Sequence, residues 1–83
     1  MEEERRGIGW AVEEMLRGGS VRRSGWNGKG MFLEHVEGAT LSDGTGEGES
    51  TLPFVVMRTV QGDFIPWLCS QADLLARDWE PAE

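Results

Sequence analysis

A single cysteine, Cys69, leaves this 83-residue chain with no internal disulfide to stabilise its fold. A domain of this length buries only a modest fraction of its surface, so its hydrophobic core is thin. The sequence also lacks the clustered ligand spacing of a structural metal site. Association of subunits is then the usual remaining source of stability. We therefore expect one domain spanning residues 1–83 that forms a homo-oligomer, with the charged residues 1–6 disordered.

Two segments carry the periodicity and the end signals of helices. Between residues 8 and 17, apolar side chains recur at helical spacing, and Gly18-Gly19 favours the left-handed cap that ends a helix. The predicted apolar stripe of this helix consists of Ile8, Val12, Met15 and Leu16. A short C-terminal helix is predicted to begin after Ser70, whose hydroxyl can cap it.

The segments between the helices predict an antiparallel sheet. Residues 21–23 and 31–36 are predicted to form one hairpin, and residues 52–59 and 64–65 a second one. Pro66 is expected to end the second hairpin because it has no amide hydrogen to donate, and residues 78–80 to add an edge strand before Pro81. Residues 38–50 are expected to form a flexible, glycine-rich loop. The order of elements predicts an α+β domain: a small antiparallel sheet built from two hairpins, with an N-terminal helix and a short C-terminal helix.

The formal net charge of −7 argues against a protein that binds nucleic-acid polymers nonspecifically, because such a protein needs a basic face. The charge is uneven, however, since residues 17–30 contain basic side chains and no acid. The basic residues of this stretch are Arg17, Arg22, Arg23 and Lys29. Such a patch is compatible with a compact anionic ligand or with ordinary solvated surface charges.

The sequence shows neither the pattern of a membrane span nor that of a targeting segment, and this predicts the cellular setting. No stretch approaches the length of a membrane span, and the acidic Glu2, Glu3 and Glu4 stand where a targeting segment is basic. A lone cysteine is also typical of a reducing compartment. We therefore expect a cytoplasmic protein that does not bind a membrane.

No catalytic constellation is visible in the sequence. His35 is the only histidine and has no recognisable motif around it, so we interpret it as an ordinary strand residue. Cys69 is interpreted as a small buried hydrophobe. The acidic residues 43–49 lack the ligand spacing of an EF-hand loop. We therefore predict a protein that is not an enzyme and that needs no metal or cofactor.

The first candidate binding segment is Gly25-Trp26-Asn27-Gly28-Lys29-Gly30. An aromatic side chain on a glycine-rich turn suggests contact with a ligand, because glycine lets a ligand approach the backbone closely. Asn27 can read a base edge or a sugar hydroxyl, and Lys29 offers a charge for phosphate. A hairpin turn whose Trp26 packs into the core explains the same pattern, and the residue types alone do not decide between the two interpretations.

The second candidate segment is Pro66-Trp67-Leu68-Cys69-Ser70-Gln71-Ala72-Asp73, which joins an aromatic residue to a helix start. Ser70, Gln71 and Asp73 place polar groups beside Trp67. Plain helix capping by Ser70 and Asp73 is the alternative, and it is compatible with binding. Together the two segments predict a nucleotide-sized site, in which aromatic rings stack on the base and polar groups contact the rest.

These two segments resemble the Thoeris anti-defense 2-like family of phage proteins, and the resemblance extends over most of the chain. It implies a protein that sequesters cyclic ADP-ribose-type signals of bacterial TIR-domain defence without cleaving them, and in some members cyclic dinucleotides as well. It further implies a homotetramer with pockets at subunit interfaces, in the cytoplasm of the infected or lysogenic bacterial host. The chain departs from the family mainly between residues 40 and 52, where the connection is shorter and richer in glycine than is expected of the family.

The resemblance also implies roles for individual residues. Trp26 and Asn27 are expected to contact the nucleotide, with Trp67 as a second aromatic wall. Polar contacts are expected from Ser70, Gln71 and Asp73, and phosphate contacts from Arg23 and Lys29. Two other functions remain open at this point. One is an enzyme that degrades the same signals, and the other is a structural or protein-interaction module with no nucleotide ligand.

Overall fold

The computed structural model describes residues 6–26, 30–38, 40–42, 48–50 and 52–82. Within these residues the chain forms two helices and seven short strands. In chain order the elements are α1 (Ile8–Leu16), β1 (Val21–Arg23), β2 (Phe32–Val36), β3 (Thr40–Ser42), β4 (Gly48–Ser50), β5 (Phe54–Arg58), β6 (Phe64–Pro66), α2 (Gln71–Leu75) and β7 (Trp79–Pro81). The arrangement confirms the predicted α+β class. None of the described helices is both long and apolar enough to cross a membrane.

The main sheet has five strands in the order β6-β5-β2-β1-β7, and every neighbouring pair is antiparallel. Residues directly opposite each other in antiparallel strands share a face. The register therefore places one row, Val21, Leu33, Met57 and Ile65, on a common face. The core lies on this face, where α1 packs against β1, β2 and β7. Its buried members are Ala11, Met15, Val21, Leu33 and Trp79.

The buried side of α1 differs from the predicted apolar stripe. Ala11 and Met15 are buried, whereas Val12 is 42% and Leu16 63% exposed. Met15 is confirmed as a buried residue of the predicted stripe, and Ile8, which is partly buried, packs against the core. Ala11, one helical turn before Met15, takes the buried place predicted for Val12. The prediction was wrong for Val12 and Leu16 because the small Ala11, rather than the larger Val12, faces the sheet.

Part of the predicted flexible loop at residues 38–50 forms a two-stranded antiparallel ribbon, which corrects that prediction. Strands β3 and β4 pair with Thr40 opposite Ser50 and Ser42 opposite Gly48. A strand ladder is built from backbone groups, so the low apolar content gave no sign of it. Among the described elements the ribbon contacts no helix or strand of the main sheet. The middle of the predicted loop, residues 43–47, lies outside the described residues, as do residues 1–5.

Both prolines predicted to end strands are the last residues of their strands. Pro66 of β6 lies opposite Val56 of β5, and Pro81 of β7 lies opposite Val21 of β1. Both strands are at the edges of the sheet, where a missing amide hydrogen costs no ladder hydrogen bond on the outer side. The predicted C-terminal edge strand is thus confirmed. It brings the end of the chain alongside β1, directly before the Trp26 turn.

Candidate functional site

Three tryptophans meet at the edge of the core. Trp79 is only 2% exposed and stands edge-on to two partly buried rings. Its ring centroid lies 5.6 Å from that of Trp26 and 6.0 Å from that of Trp67, with interplanar angles of 78° and 87°. Edge-to-face geometry of this kind is favourable for aromatic pairs. The fold thus brings together the two candidate segments, through a third tryptophan that the sequence analysis did not single out.

Asp73 connects these aromatic rings to the polar part of the site. Its Oδ1 accepts a hydrogen bond from Trp26 Nε1 at 3.3 Å and another from Arg23 Nη1 at 2.9 Å. Its backbone carbonyl accepts a hydrogen bond from Trp79 Nε1 at 3.2 Å. Its backbone N–H donates to Ser70 Oγ at 3.1 Å, which confirms the predicted capping role of Ser70. The cap fixes the start of α2 and therefore the place of Asp73.

Arg23 lies between two carboxylates. In addition to Asp73 it contacts Asp78, whose Oδ1 accepts a hydrogen bond from Arg23 Nε at 2.7 Å. The hydrogen bonds to Asp78 and then to Asp73 raise the pKa of the guanidinium. Two carboxylates against one guanidinium give the cluster a formal charge of −1. The predicted phosphate contact of Arg23 stays a prediction. A phosphate would compete for the guanidinium with the carboxylates of Asp73 and Asp78.

Asp78 is a part of the site that the sequence analysis missed. Its Oδ2 accepts hydrogen bonds from the backbone N–H of Gly25 at 2.9 Å and from Ser24 Oγ at 3.3 Å. The bond from Arg23 is the main cause of a lowered Asp78 pKa. The only hint in the sequence was the absence of acidic residues from positions 17–30. That absence leaves Arg23 without a local partner, and only the pairing of β1 with β7 reveals the distant one.

The other predicted contact residues either are exposed at the start of α2 or lie outside the described residues, apart from the two tryptophans. Gln71 and Ser70 are exposed at the start of α2. Asn27 and Lys29 lie outside the described residues, so their predicted contacts stay predictions. Trp26 and Trp67 are each partly exposed beside Trp79. An aromatic surface next to a carboxylate and a helix start can stack on a flat ring and accept hydrogen bonds from its substituents.

Cys69 and His35 are the two side chains considered for covalent chemistry. Cys69 is exposed, which corrects the expectation that it is buried. Desolvation and the nearby charge of Asp73 raise the pKa of its thiol, which favours the unreactive protonated form. His35 Nδ1 lies 3.9 Å from a carboxylate oxygen of the exposed Glu37. Within the part of the chain that the structure describes, no three acidic, histidine or cysteine side chains are grouped as metal ligands.

Comparison with known proteins identifies the family. The model of the Thoeris anti-defense 2-like domain matches residues 7–81, which include both candidate segments and every element of the main sheet. The chain is also similar to Thoeris anti-defense 2 of Bacillus phage SP01. The two are 36% identical over 80 residues, an alignment that covers 88% of this chain and 90% of the phage protein. On these matches, this chain belongs to the Thoeris anti-defense 2-like family.

Proposed function

We propose that this chain is a phage anti-defence protein that binds cyclic ADP-ribose-type immune signals and withholds them, uncleaved, from the defence effector. The anti-defence role is supported by the family and by the name of the similar Bacillus phage protein. The observation that carries the ligand assignment is the convergence of Trp26 and Trp67 on Trp79, beside the carboxylate of Asp73.

The chemistry of this convergence suits a nucleotide. A purine stacks on the partly exposed indole faces of Trp26 or Trp67, because stacking tolerates any flat ring. Asp73 accepts a hydrogen bond from a ribose hydroxyl or from an exocyclic amine of the base. Asn27, Gln71 and Ser70 supply further polar contacts, and Lys29 supplies the charge for the phosphates. Arg23 contacts a phosphate only with groups that its two bound carboxylates leave free.

In this proposal the site binds the ligand without cleaving it. Nucleotide cleavage needs an activated nucleophile, a general base or a metal ion. Cys69, whose thiol pKa is raised, is a poor nucleophile at neutral pH. Tight binding alone suffices for sequestration, because a bound signal is removed from the free pool that activates the effector.

The site is completed in a homo-oligomer, which we propose to be a tetramer. One face of the main sheet packs on α1, but no described element packs on the other. That second face is rich in apolar side chains, namely Phe32, Val36, Phe54, Val56 and Phe64. Arg58 lies among them, with its guanidinium carbon 5.6 Å from the Phe32 ring centre and 5.2 Å from that of Phe64. An apolar sheet face of this kind on a thin domain favours burial against another subunit.

A direct test measures whether the protein retains a glyco-cyclic ADP-ribose isomer. The protein is incubated with the isomer, free ligand is removed by filtration, and the retained protein is denatured. Intact ligand released only after denaturation supports sequestration, and new product peaks would instead indicate an enzyme. A parallel arm with cyclic dinucleotides tests whether these are bound as well. No retention of any cyclic nucleotide contradicts the proposal.

A protein-interaction module without a nucleotide ligand is the second candidate. The observation in its favour is the number of exposed apolar side chains, which include Leu16, Leu68 and Leu75 at 63%, 86% and 72% exposure. The two candidates differ in what Trp26→Ala does. The sequestration proposal predicts loss of ligand binding with the oligomer intact, and the interaction module predicts that the oligomer dissociates. Size-exclusion chromatography with light scattering measures the second outcome.

A further inference from the structure

Asp78 holds the chain directly before Trp26, although it is not among the predicted contact residues. Its Oδ2 accepts hydrogen bonds from the N–H of Gly25 at 2.9 Å and from the hydroxyl of Ser24 at 3.3 Å. Its backbone carbonyl accepts a third, from the N–H of Ser24 at 3.0 Å. A turn whose backbone donors are paired in this way is fixed at its first residues.

Arg23 extends this hold from Asp78 to Asp73. Its planar guanidinium donates from Nε to Asp78 at 2.7 Å and from Nη1 to Asp73 Oδ1 at 2.9 Å. Because the donors of a guanidinium have fixed directions, the position of one carboxylate constrains the other. Trp26 Nε1 contacts the same oxygen of Asp73. The second oxygen, Oδ2, accepts no hydrogen bond from any residue that the structure describes.

On the basis of the proposed function, we propose that Asp78 is a positioning residue of the ligand site. It fixes the Trp26 turn directly and, through Arg23, sets the direction in which Asp73 presents its second oxygen. The formal charge of −1 on the three side chains makes that oxygen a partner for a ligand hydroxyl or amine rather than for a phosphate. The second oxygen of Asp73 is therefore assigned to the ribose or the base of a nucleotide signal and not to its phosphates.

Asp78→Asn tests the proposal with little change in side-chain volume. The amide can still accept a hydrogen bond from Gly25 but is no longer an ionic partner for Arg23. The matched control is Glu80→Gln, which breaks the Arg22–Glu80 ion pair of 2.8 Å between the same two strands, β1 and β7. Calorimetry with the glyco-cyclic ADP-ribose isomer should show affinity about tenfold lower for Asp78→Asn, and less than about twofold lower for Glu80→Gln.

A double-mutant cycle with Asp73→Asn separates positioning from a general loss of stability. If Asp78 acts through Asp73, the two substitutions together weaken binding by much less than the product of their separate effects. If Asp78→Asn fails to fold, Asp78→Glu takes its place in the cycle, because glutamate keeps the charge but moves the carboxylate by one methylene relative to Arg23 and Gly25.

The outcomes also separate this proposal from the function on which it rests. Unchanged affinity in Asp78→Asn, or independent effects of the two substitutions, overturns the positioning role and leaves the proposed sequestration function standing. A wild-type chain that binds no cyclic nucleotide overturns the proposed function and the positioning role together.

Discussion

The indole N–H of Trp79 donates a hydrogen bond to the backbone carbonyl of Asp73 across 3.2 Å. One residue thus belongs both to the buried core and to the candidate site, since the ring of Trp79 is 2% exposed and also supports Trp26 and Trp67. The backbone N–H of Trp79 donates to the carbonyl of Arg6 at 3.1 Å, which joins the start of the chain to the same place. Stability and ligand binding should therefore respond together to changes at Trp79.

Trp79→Phe is expected to lower the free energy of unfolding by about 1–3 kcal/mol. Phenylalanine keeps an aromatic ring but leaves a void and removes the hydrogen bond to Asp73. Urea denaturation followed by circular dichroism measures the change. Trp10→Phe is the control, because Trp10 is only partly buried, with Arg6 4.7 Å from its ring centre, and should lose less than about 1 kcal/mol. Equal losses for the two variants would contradict the central place of Trp79.

Acidification should remove the contribution of Asp78 to stability. A carboxyl group whose pKa is lower in the folded than in the unfolded state stabilises the fold above the unfolded pKa, and this stabilisation is lost as the pH falls through the folded pKa. The ordinary pKa of Asp78 is 3.8 and the folded one is lower, mainly because of Arg23. The raised pKa of Arg23 keeps it charged throughout this range.

The measurement for this acid effect is the difference in unfolding free energy between the wild-type chain and Asp78→Asn, followed from about pH 7 to about pH 2.5. The difference should be constant near neutral pH and should narrow once the pH falls below the ordinary aspartate value. A difference that stays constant down to the lowest pH shows that the Asp78 charge contributes nothing.

Two glycines of the N-terminal helix region should respond in opposite directions to alanine. Gly18 follows the helix with a φ of +99°, a conformation that costs alanine about 1 kcal/mol. Gly9 lies within α1, and a Cβ added there meets no atom within 4 Å. Gly9→Ala should therefore stabilise the chain by about 0.5–1 kcal/mol, since alanine favours the helix. Thermal unfolding of both variants checks the signs, and stabilisation by Gly18→Ala would contradict the assigned helix end.

Much of the fold could be predicted from local patterns, because helix ends, β-branched runs and turns act over a few residues. The capping of α2 by Ser70 and the edge strand β7 were predicted in this way. The buried side of α1 was not, since the choice between Ala11 and Val12 depends on how closely the helix approaches the sheet. The β3–β4 ribbon was also missed, because its pairing uses backbone atoms that every sequence shares.

The candidate site was predictable only as two separate segments. Their composition indicated aromatic and polar contacts at Trp26 and Trp67, but not what joins them. The joining residues, Trp79 and Asp78, approach the first segment because β7 pairs with β1 across more than fifty positions of sequence. Long-range pairing of this kind leaves no local signal, so the shared hydrogen bonds of Asp73 and Asp78 required the fold itself.

Titration calorimetry of the wild-type chain and Asp73→Asn with the glyco-cyclic ADP-ribose isomer, followed by chromatography of the recovered ligand, tests the central claim most directly. We predict that the wild-type protein binds the isomer and returns it intact after denaturation. Asp73→Asn should bind at least about tenfold more weakly, because it loses the carboxylate that joins Arg23 and Trp26. No heat of binding with the wild-type chain, or equal affinity in Asp73→Asn, would contradict the assignment of this site.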